Sequence, residues 1–358
     1  MRREWSYGDT PAFHGSFVGT DRGDLTVSVI VPTFNRQERL GRLLSALEGH
    51  HRAGARFDVV VAVDGSEDGT QTMLSALRTA YRIQVIVQPR GGAAAARNAA
   101  IAAAAGDVLL FLDDDVVPQA GLFERHLAVH RADPLAAVIG RMSAPPGRTL
   151  PIWLDWEATM VDRSYANMLA GRVALGWQRF YTANASVRRE HVIAVGGFDE
   201  QFTRAEDVEL AHRLADHGVR FYFAQDAIVY HEPDRTLAGW LQAAFEYGRH
   251  RVLLERLLGS GARFLQQDWQ LRHPLNRMLA RWSVGHIRRT RLVVKALRYA
   301  IASTRLGSRR SRLILCSALY NLTYWEGVAE TTGLGADLWQ QVVEPSAPSM
   351  VPLRDPER

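Results

Sequence analysis

Four short apolar runs, separated by helical segments, constrain this chain most strongly. Each run has five to seven residues and is rich in Val, Ile or Leu, and the first run is typical of a strand buried on both faces of a parallel sheet. The runs are VSVIV at 27–31, FDVVVAV at 57–63, IQVIV at 83–87 and VLLFL at 108–112. Helices are predicted over Arg36–Glu48, through Leu77, and over Ala93–Ala105. This alternation predicts an α/β fold with right-handed crossovers and a ligand site at the carboxyl ends of the strands.

The alternation becomes irregular after about residue 137. We predict a strand in AAVIGRM, an irregular Trp-rich stretch from Ile152 to Trp177, a helix over Val208–His217 and a strand over 221–231, which together extend the sheet in a mixed direction. Beyond Leu237 the pattern is helical. The predicted domains are a loose leader at 1–25, a catalytic domain at 26–235, a basic helical segment at 236–345 and a flexible tail at 346–358.

Several classes of protein are disfavoured by composition. No run of about 18 apolar residues is present, so no transmembrane helix is predicted. The N-terminus has no apolar run behind its two arginines and does not match a secretory signal, so we expect a cytoplasmic protein. The single cysteine, Cys316, excludes an internal disulfide framework and is expected to be a buried thiol.

Charge is distributed unevenly along the chain. The net charge is +5, but the segment from Trp269 to Trp325 has twelve basic residues and no Asp or Glu. Such a segment indicates an anionic partner, namely a membrane surface, a lipid-phosphate acceptor or nucleic acid.

One helical face concentrates part of this basic charge. Its members lie three or four residues apart and are Arg288, Arg291, Lys295 and Arg298. A basic amphipathic helix is typical of peripheral contact with an anionic membrane. The alternative is a solvated face of a helix that packs on the catalytic domain. Nucleic acid is an unlikely partner, because no recognised binding module accompanies the charge.

Three adjacent carboxylates follow the fourth apolar run directly. Asp113, Asp114 and Asp115 come at the end of a strand that delivers them to the ligand-binding edge of the sheet. Because alternate residues of an extended segment point the same way, Asp113 and Asp115 are expected to share a target while Asp114 faces elsewhere. Mg²⁺ and Mn²⁺ bind one or two carboxylates together with phosphate oxygens, which favours a metal site over a solvated turn.

Other polar residues occur at related positions. Asp64 ends the second run and is followed by a glycine-containing turn, where a capping role is the alternative to a ligand role. Gly91 and Gly92 open the Ala-rich helix and would allow a phosphate to approach its N-terminus, although the G-x-G-x-x-G fingerprint of dinucleotide enzymes is missing. Arg97 and Asn98 interrupt that helix and are expected to have polar partners on the sheet.

In order and spacing, these segments resemble glycosyltransferase family 2, whose members have the GT-A fold. The matching stretches are VSVIVPTFNR, VVVAVDGSEDGT, GGAAAARNAAIAAAAGDVLLFLDDDVVP, TANASVRRE, GGFDE and AEDVEL. The resemblance implies a Rossmann-like, mostly parallel sheet flanked by helices, with a helical C-terminal extension. It also implies a nucleotide-sugar donor, most commonly a UDP-sugar, and a divalent cation, Mn²⁺ or Mg²⁺.

The resemblance also assigns roles to residues. Asp207 would be the general base and Glu206 its neighbour in the acceptor pocket, whereas composition alone would make both an acidic helix N-terminus. Asp113 would face the ribose, Asp115 would bind the metal, and His231 would complete the metal shell. The nucleotide-sugar site would contain Pro32, Thr33, Asp64, Arg97, Asn98, Asp113, Asp114 and Asn184.

The implied reaction is a single displacement with inversion at the anomeric carbon. The acceptor would be a glycan, a lipid-linked molecule or a small molecule, in cell-surface glycan or glycolipid synthesis. Processive synthases of the family carry Q-x-x-R-W and long transmembrane helices, and this sequence has neither. Trp153, Trp156 and Trp177 are candidates for stacking on acceptor sugars or for core packing.

Two other functions remain open at this point. A nucleotidyltransferase that makes activated sugars would normally have a Gly-rich N-terminal phosphate loop, which VPTFNR does not resemble. A non-catalytic scaffold that binds nucleotide sugars would tolerate loss of Asp115 and Asp207.

Overall fold

The computed structural model describes residues 25–259, 263–302 and 308–340. The predicted tail at 346–358 and, except for Leu25, the predicted leader lie outside the described residues. The strands are β1 (Val27–Thr33), β2 (Asp58–Asp64), β3 (Arg82–Gln88), β4 (Val108–Leu112), β5 (Val116–Pro118), β6 (Ala136–Ser143), β7 (Asn184–Arg188) and β8 (Arg220–His231). The helices are α1 (Gln37–Arg52), α2 (Thr70–Ala76), α3 (Ala93–Ala103), α4 (Leu122–Ala132), α5 (Ile152–Leu169), α6 (Arg189–Ala194), α7 (Glu206–Asp216), α8 (Leu237–Leu258), α9 (Phe264–Gln270), α10 (Pro274–Ser283), α11 (Ile287–Ala302) and α12 (Arg309–Thr332).

The chain divides into two compact units. The first consists of residues up to Thr149 together with Glu157–Asp234, and the second of Leu150–Trp156 together with residues from Arg235 onward. Each unit has its own hydrophobic core.

The first unit contains one mixed sheet with the strand order β3-β2-β1-β4-β7-β6-β8-β5. Strands β3, β2, β1 and β4 are parallel, as their alternation with helices predicts. Strand β7 is antiparallel to both β4 and β6, so the direction changes in the segment where the sequence pattern became irregular. The predicted α/β class with a mostly parallel sheet and a mixed extension is confirmed.

Helices cover both faces of the parallel strands. The apolar side of α1 packs on one face, where Leu40 and Leu44 belong to the same hydrophobic cluster as Val29. The Ala-rich helix α3 packs on the other face, where Ala96 and Ala100 meet Ile30 and other alternate residues of the strands. Small side chains let α3 approach the sheet closely, which explains why an alanine-rich sequence stands there.

The prediction of an irregular stretch from Ile152 to Trp177 is wrong over most of its length, because α5 occupies Ile152–Leu169. Within the first unit, Val161, Tyr165 and Met168 recur at helical spacing and pack in the core. The many aromatic residues of this stretch made the helical spacing of its apolar residues hard to detect in the sequence. The short strand β5 was also not predicted, because it forms only by pairing with β8.

The second unit is built around α8 and α12. Two glycines lie where these helices cross: a Cβ on Gly248 would lie 2.0 Å from the Tyr324 carbonyl oxygen, and one on Gly327 would lie 2.0 Å from the Phe245 carbonyl oxygen. Only glycine permits this backbone approach. Cys316 is buried and unpaired, as predicted. Among the described residues, no helix is long and apolar enough to cross a membrane.

We expect Gly248→Ala to destabilise the second unit by at least about 2 kcal/mol, because its methyl group would overlap a backbone oxygen that cannot move independently. Gly239→Ala in the same helix is the matched control. Its Cβ would lie 3.5 Å from the Thr236 hydroxyl, and helix propensity should stabilise the variant by up to about 1 kcal/mol. Urea denaturation followed by circular dichroism tests this, and equal stability changes in the two variants would contradict the close crossing.

Candidate active site

Three adjacent parallel strands bring polar residues to one edge of the sheet. Strand β1 ends at Thr33, β2 ends at Asp64, and β4 is followed by Asp113. The helices α1 and α3 leave toward opposite faces of the sheet, which makes this edge a topological switch point. The structure therefore gathers these predicted residues at the edge of the sheet where ligands of such folds bind.

Arg36 joins two of the three adjacent carboxylates. Its Nη1 lies 2.9 Å from Asp114 Oδ1 and 2.7 Å from Asp115 Oδ2. Thr33 Oγ1 donates a 2.7 Å hydrogen bond to the other oxygen of Asp114. The side chains of Asp114 and Asp115 are only 6% and 7% exposed. Asp114 therefore shares the partner of Asp115 instead of facing elsewhere.

Sequence reasoning missed Arg36. Two sequence features could have identified it: Arg36 is a basic residue shortly after β1, and the neighbouring strand β4 is followed by three acidic residues. Because β1 and β4 pair directly, the Arg36 side chain reaches the acids of the neighbouring strand. Buried carboxylates without such a cation would be costly.

The surroundings of Asp114 and Asp115 shift the pKa values of these two carboxylates in opposite directions. Burial raises the pKa of Asp114 to about 6, although Arg36 opposes the shift. Burial also disfavours the charge of Asp115, but His231 and Arg36 outweigh it and hold the pKa of that carboxyl below its usual range. Asp115 is therefore the more firmly anionic group of the pair at neutral pH.

Asp115 and His231 form a pair that suits a divalent cation. Nε2 of His231 lies 3.4 Å from Asp115 Oδ1. Asp113 does not join them: its Oδ1 pairs instead with Arg97 Nη2 at 2.8 Å. No cluster of three Asp, Glu, His or Cys side chains with metal-binding geometry occurs in the part of the chain that the structure describes. One carboxylate and one imidazole fit a Mn²⁺ or Mg²⁺ ion that takes its other ligands from a diphosphate and water.

Asp64 is buried and fully engaged at the end of β2. It accepts hydrogen bonds from the backbone N–H groups of Gly91 at 2.7 Å and Gly92 at 2.9 Å, and from Gln88 Nε2 at 2.9 Å. The N–H groups of Gly91 and Gly92, which we expected to bind a phosphate, therefore donate hydrogen bonds to Asp64. This network fixes the loop between β3 and α3, and the role of Asp64 in binding the nucleotide sugar stays a prediction.

Arg97 connects β4 to the start of α7. Its Nη1 lies 2.7 Å from Glu206 Oε1, while Nη2 binds Asp113. Arg97 is 4% exposed, so its charge depends on these two acids. The polar partner expected for this residue of the Ala-rich helix is therefore a pair of carboxylates from two other elements.

Asp207 lies on the first turn of α7, after an unusual backbone conformation. Ala205 has φ 58°, a left-handed value that non-glycine residues rarely adopt. Asp207 Oδ1 accepts a 2.8 Å hydrogen bond from the Val208 N–H. Burial and the neighbouring Glu206 raise the pKa of Asp207 to about 7, although Arg97 opposes the shift. Asp207 is therefore only partly ionised at neutral pH.

Three other predicted residues have different surroundings. Asn98 binds both backbone polar groups of Phe198, at 2.8 and 2.9 Å, and so holds the GGFDE loop against α3. Asn184 donates to the Ala227 carbonyl at 2.8 Å and lies 3.1 Å from His126 Nε2 in the interior, and its role in the nucleotide-sugar site stays a prediction. Pro32 is half-buried in β1 beside Thr33.

The tryptophans have packing partners. Trp156 is buried in the second unit, with ring centroids 5.5 Å from Trp240 and 4.8 Å from Tyr320. In the same unit, Trp153 Nε1 donates to the Arg235 carbonyl at 3.0 Å. In the first unit, Trp177 meets the ring of His212 at 4.9 Å. For Trp156, the structure therefore favours core packing over stacking on an acceptor sugar.

The family can be assigned once this geometry is known. Residues 28–196 match the family model described as Glycosyl transferase family 2. Residues 28–196 form a glycosyltransferase family 2 domain. This segment lies in the first unit, and the glycosyltransferases among the relatives support a glycosyltransferase enzyme over a nucleotidyltransferase.

Individual relatives agree with this assignment. Glycosyltransferase AglE of Haloferax volcanii is 29% identical over 64% of this chain and 75% of its own length. Validoxylamine A glucosyltransferase of Streptomyces hygroscopicus subsp. limoneus is 31% identical over 54% of this chain, but the match spans only 48% of that protein. The mannosyltransferase PcManGT of Pyrobaculum calidifontis has the same GT-A fold, with a TM-score of 0.55 and 20% identity over 84% of this chain and 86% of its own.

The family match ends before several of the predicted site residues. It stops at Gly196, whereas Glu206, Asp207 and His231 follow later in the chain. The roles of these three residues therefore depend on the geometry described above and remain proposals.

We expect Arg97→Met to destabilise the first unit by about 3–5 kcal/mol, because it leaves Asp113 and Glu206 without their shared cation. Arg141→Met is the matched control. It breaks an ion pair with Asp162 in which the side chains are 39% and 51% exposed, so it should cost less than about 1 kcal/mol. Urea denaturation at neutral pH measures both, and similar losses in the two variants would show that Arg97 has no special structural role.

Proposed function

We propose that this chain transfers a sugar from a nucleotide-sugar donor to an acceptor hydroxyl by a metal-assisted single displacement that inverts the anomeric carbon. A UDP-sugar is the first donor to test. The observation that carries the proposal is the shared guanidinium of Arg97, which binds Asp113 beside the donor-side carboxylates and Glu206 beside Asp207. Candidate donor and acceptor groups therefore lie within the span of one side chain.

Asp207 is suited to act as the general base. A base works best when its pKa lies near the working pH, and burial together with Glu206 brings the pKa of Asp207 to about 7. The carboxylate would remove the proton of the acceptor hydroxyl as that oxygen attacks the anomeric carbon. Glu206 is held beside Asp207 by its 2.7 Å ion pair with Arg97, so we propose that it acts as a positioning residue.

Asp115 and His231 would hold the cation. A divalent ion bound there supplies Lewis-acid stabilisation of the negative charge on the departing nucleoside diphosphate. Asp115 contributes a firmly ionised carboxylate. Arg36, which lies on Asp114 and Asp115, contributes a further positive charge at the same edge of the sheet.

The acceptor that we propose is a glycan, a lipid-linked molecule or a small molecule. We also propose a peripheral position at an anionic membrane, as the basic helices of the second unit predict. Relatives support glycan synthesis as one setting, since the Succinoglycan biosynthesis protein ExoM of Rhizobium meliloti is 27% identical over 69% of this chain. PcManGT is in complex with GDP-Man and Mn²⁺, so guanine nucleotides belong in the test.

Calorimetric titration of UDP, GDP and dTDP with Mn²⁺ tests the donor site. We expect one nucleotide to bind, with affinity reduced at least tenfold by chelator or by Asp115→Ala, because both remove the link between protein and diphosphate. Asp162→Ala, which changes a 51% exposed carboxylate, is the control and should bind normally. Absence of binding by all three nucleotides in the presence of the metal would overturn the proposed donor site.

Asp207→Asn tests the general base. We expect kcat to fall by about 10²–10⁴, with little change in donor affinity. In the parent protein, kcat/KM should fall about tenfold per pH unit below a pKa of about 7, because protonated Asp207 cannot accept a proton. Asp216→Asn in the same helix changes an exposed carboxylate and should leave both properties intact.

The same variant has a thermodynamic signature. The pKa of Asp207 in the folded protein, about 7, lies above its value in the unfolded chain. The free energy of unfolding therefore falls as the pH rises toward and through about 7, because the folded protein must then hold a buried negative charge. Asp207→Asn carries no such charge and should be more stable than the parent above neutral pH. A variant that is both inactive and less stable at high pH would contradict the proposed burial of the base.

A further inference from the structure

An apolar stripe lies on the outside of the second unit. Leu275, Met278 and Trp282 recur at intervals of three and four residues, which places them on one face of α10. Leu271 is also exposed and lies in the turn that precedes α10. The exposed fractions of Leu271, Leu275, Met278 and Trp282 are 82%, 58%, 64% and 49%. A contiguous row of large apolar side chains facing solvent marks an interaction surface.

The opposite face of α10 already packs inside the unit. Ala280 and Ser283 are buried there. Asn276 Nδ2 donates to Ser317 Oγ of α12 at 3.1 Å. The apolar stripe is thus a second face, which the unit does not need for its own folding.

One exposed face of the next helix, α11, contains both basic and apolar residues. Arg288, Leu292, Lys295 and Tyr299 share one face of α11 and are exposed, with Leu292 at 64% and Tyr299 at 76%. Arg289 connects the two helices, because its guanidinium carbon lies 5.4 Å from the centre of the Trp282 ring. Long basic side chains beside apolar ones can bury their stems and keep their charges at a polar boundary.

The charge identifies the occupant. The segment from Trp269 to Trp325 has twelve basic residues and no acidic one, so a second copy of this chain would bring like charges together. An anionic lipid surface offers both required environments, acyl chains for the apolar stripe and phosphates for the cations. Trp and Tyr are the aromatic residues that favour the boundary between them.

We propose that the second unit binds anionic membranes by inserting Leu271, Leu275, Met278 and Trp282 into the interface, while Arg288 and Lys295 contact lipid phosphates. This inference deepens the membrane position proposed above. It adds hydrophobic insertion through α10 to the electrostatic contact predicted for α11, and it does not depend on the donor site.

Sedimentation of the full chain with vesicles tests the binding. We expect it to bind vesicles of phosphatidylcholine with phosphatidylglycerol, to bind vesicles of phosphatidylcholine alone much more weakly, and to lose binding as salt rises. Lipids brominated near the headgroup end of the acyl chains should quench tryptophan fluorescence, and Trp282→Phe should remove most of that quenching.

Two double variants separate insertion from charge. Leu275→Ser with Met278→Ser should reduce binding to anionic vesicles at least tenfold, through loss of buried apolar area. Arg288→Gln with Lys295→Gln should reduce it about fivefold per charge. Val87→Ser with Ile193→Ser removes apolar side chains that are 55% and 50% exposed on the first unit and should have no effect.

The outcomes are decisive in either direction. Absence of binding to anionic vesicles, as expected if this face meets an acidic protein instead, would overturn the inference. Equal binding to neutral and anionic vesicles, or an equal loss in the control variant, would overturn it as well. Nucleotide titration of the same variants should match the parent chain, so failure of the membrane inference is distinguishable from failure of the proposed transferase function.

Discussion

The parallel sheet forces acidic residues together at the edge where β1, β2 and β4 end, and two arginines make that arrangement stable. Arg36 forms ion pairs with Asp114 and Asp115, while Arg97 forms ion pairs with Asp113 and with Glu206 at the start of α7. A carboxylate buried without such a cation would cost several kcal/mol. The positions of these two guanidinium groups therefore underlie both the stability of the catalytic domain and the electrostatics of its site.

The same acids acquire different properties from their surroundings. The pKa of Asp115 is held low, whereas the pKa values of Asp114 and Asp207 rise to about 6 and about 7. A firmly ionised carboxylate suits a cation, and one that titrates near neutrality suits proton transfer. The environment thus gives chemically identical side chains different pKa values, which fit the cation-binding and proton-transfer roles that we propose for them.

The second unit combines a tightly packed interior with an exposed apolar surface. Its inner helices approach so closely that Gly248 and Gly327 have no room for a side chain, whereas α10 turns a large apolar row outward. A unit that packs its core this tightly has no structural need for exposed leucine, methionine and tryptophan. Together with the absence of acidic residues from Trp269 to Trp325, this contrast supports a role in binding an anionic surface.

The sequence by itself predicted what depends on local pattern: the four parallel strands, the helices between them, and acids at the strand ends. Apolar periodicity and strand length are properties of consecutive residues, so they are visible without a fold. Only the tertiary structure decided which charges meet. It paired Asp113 with Arg97, brought Arg36 to Asp115, and placed Asn184 in the interior. Such contacts join residues that lie far apart in the chain, and their energies depend on burial, which a linear pattern does not specify.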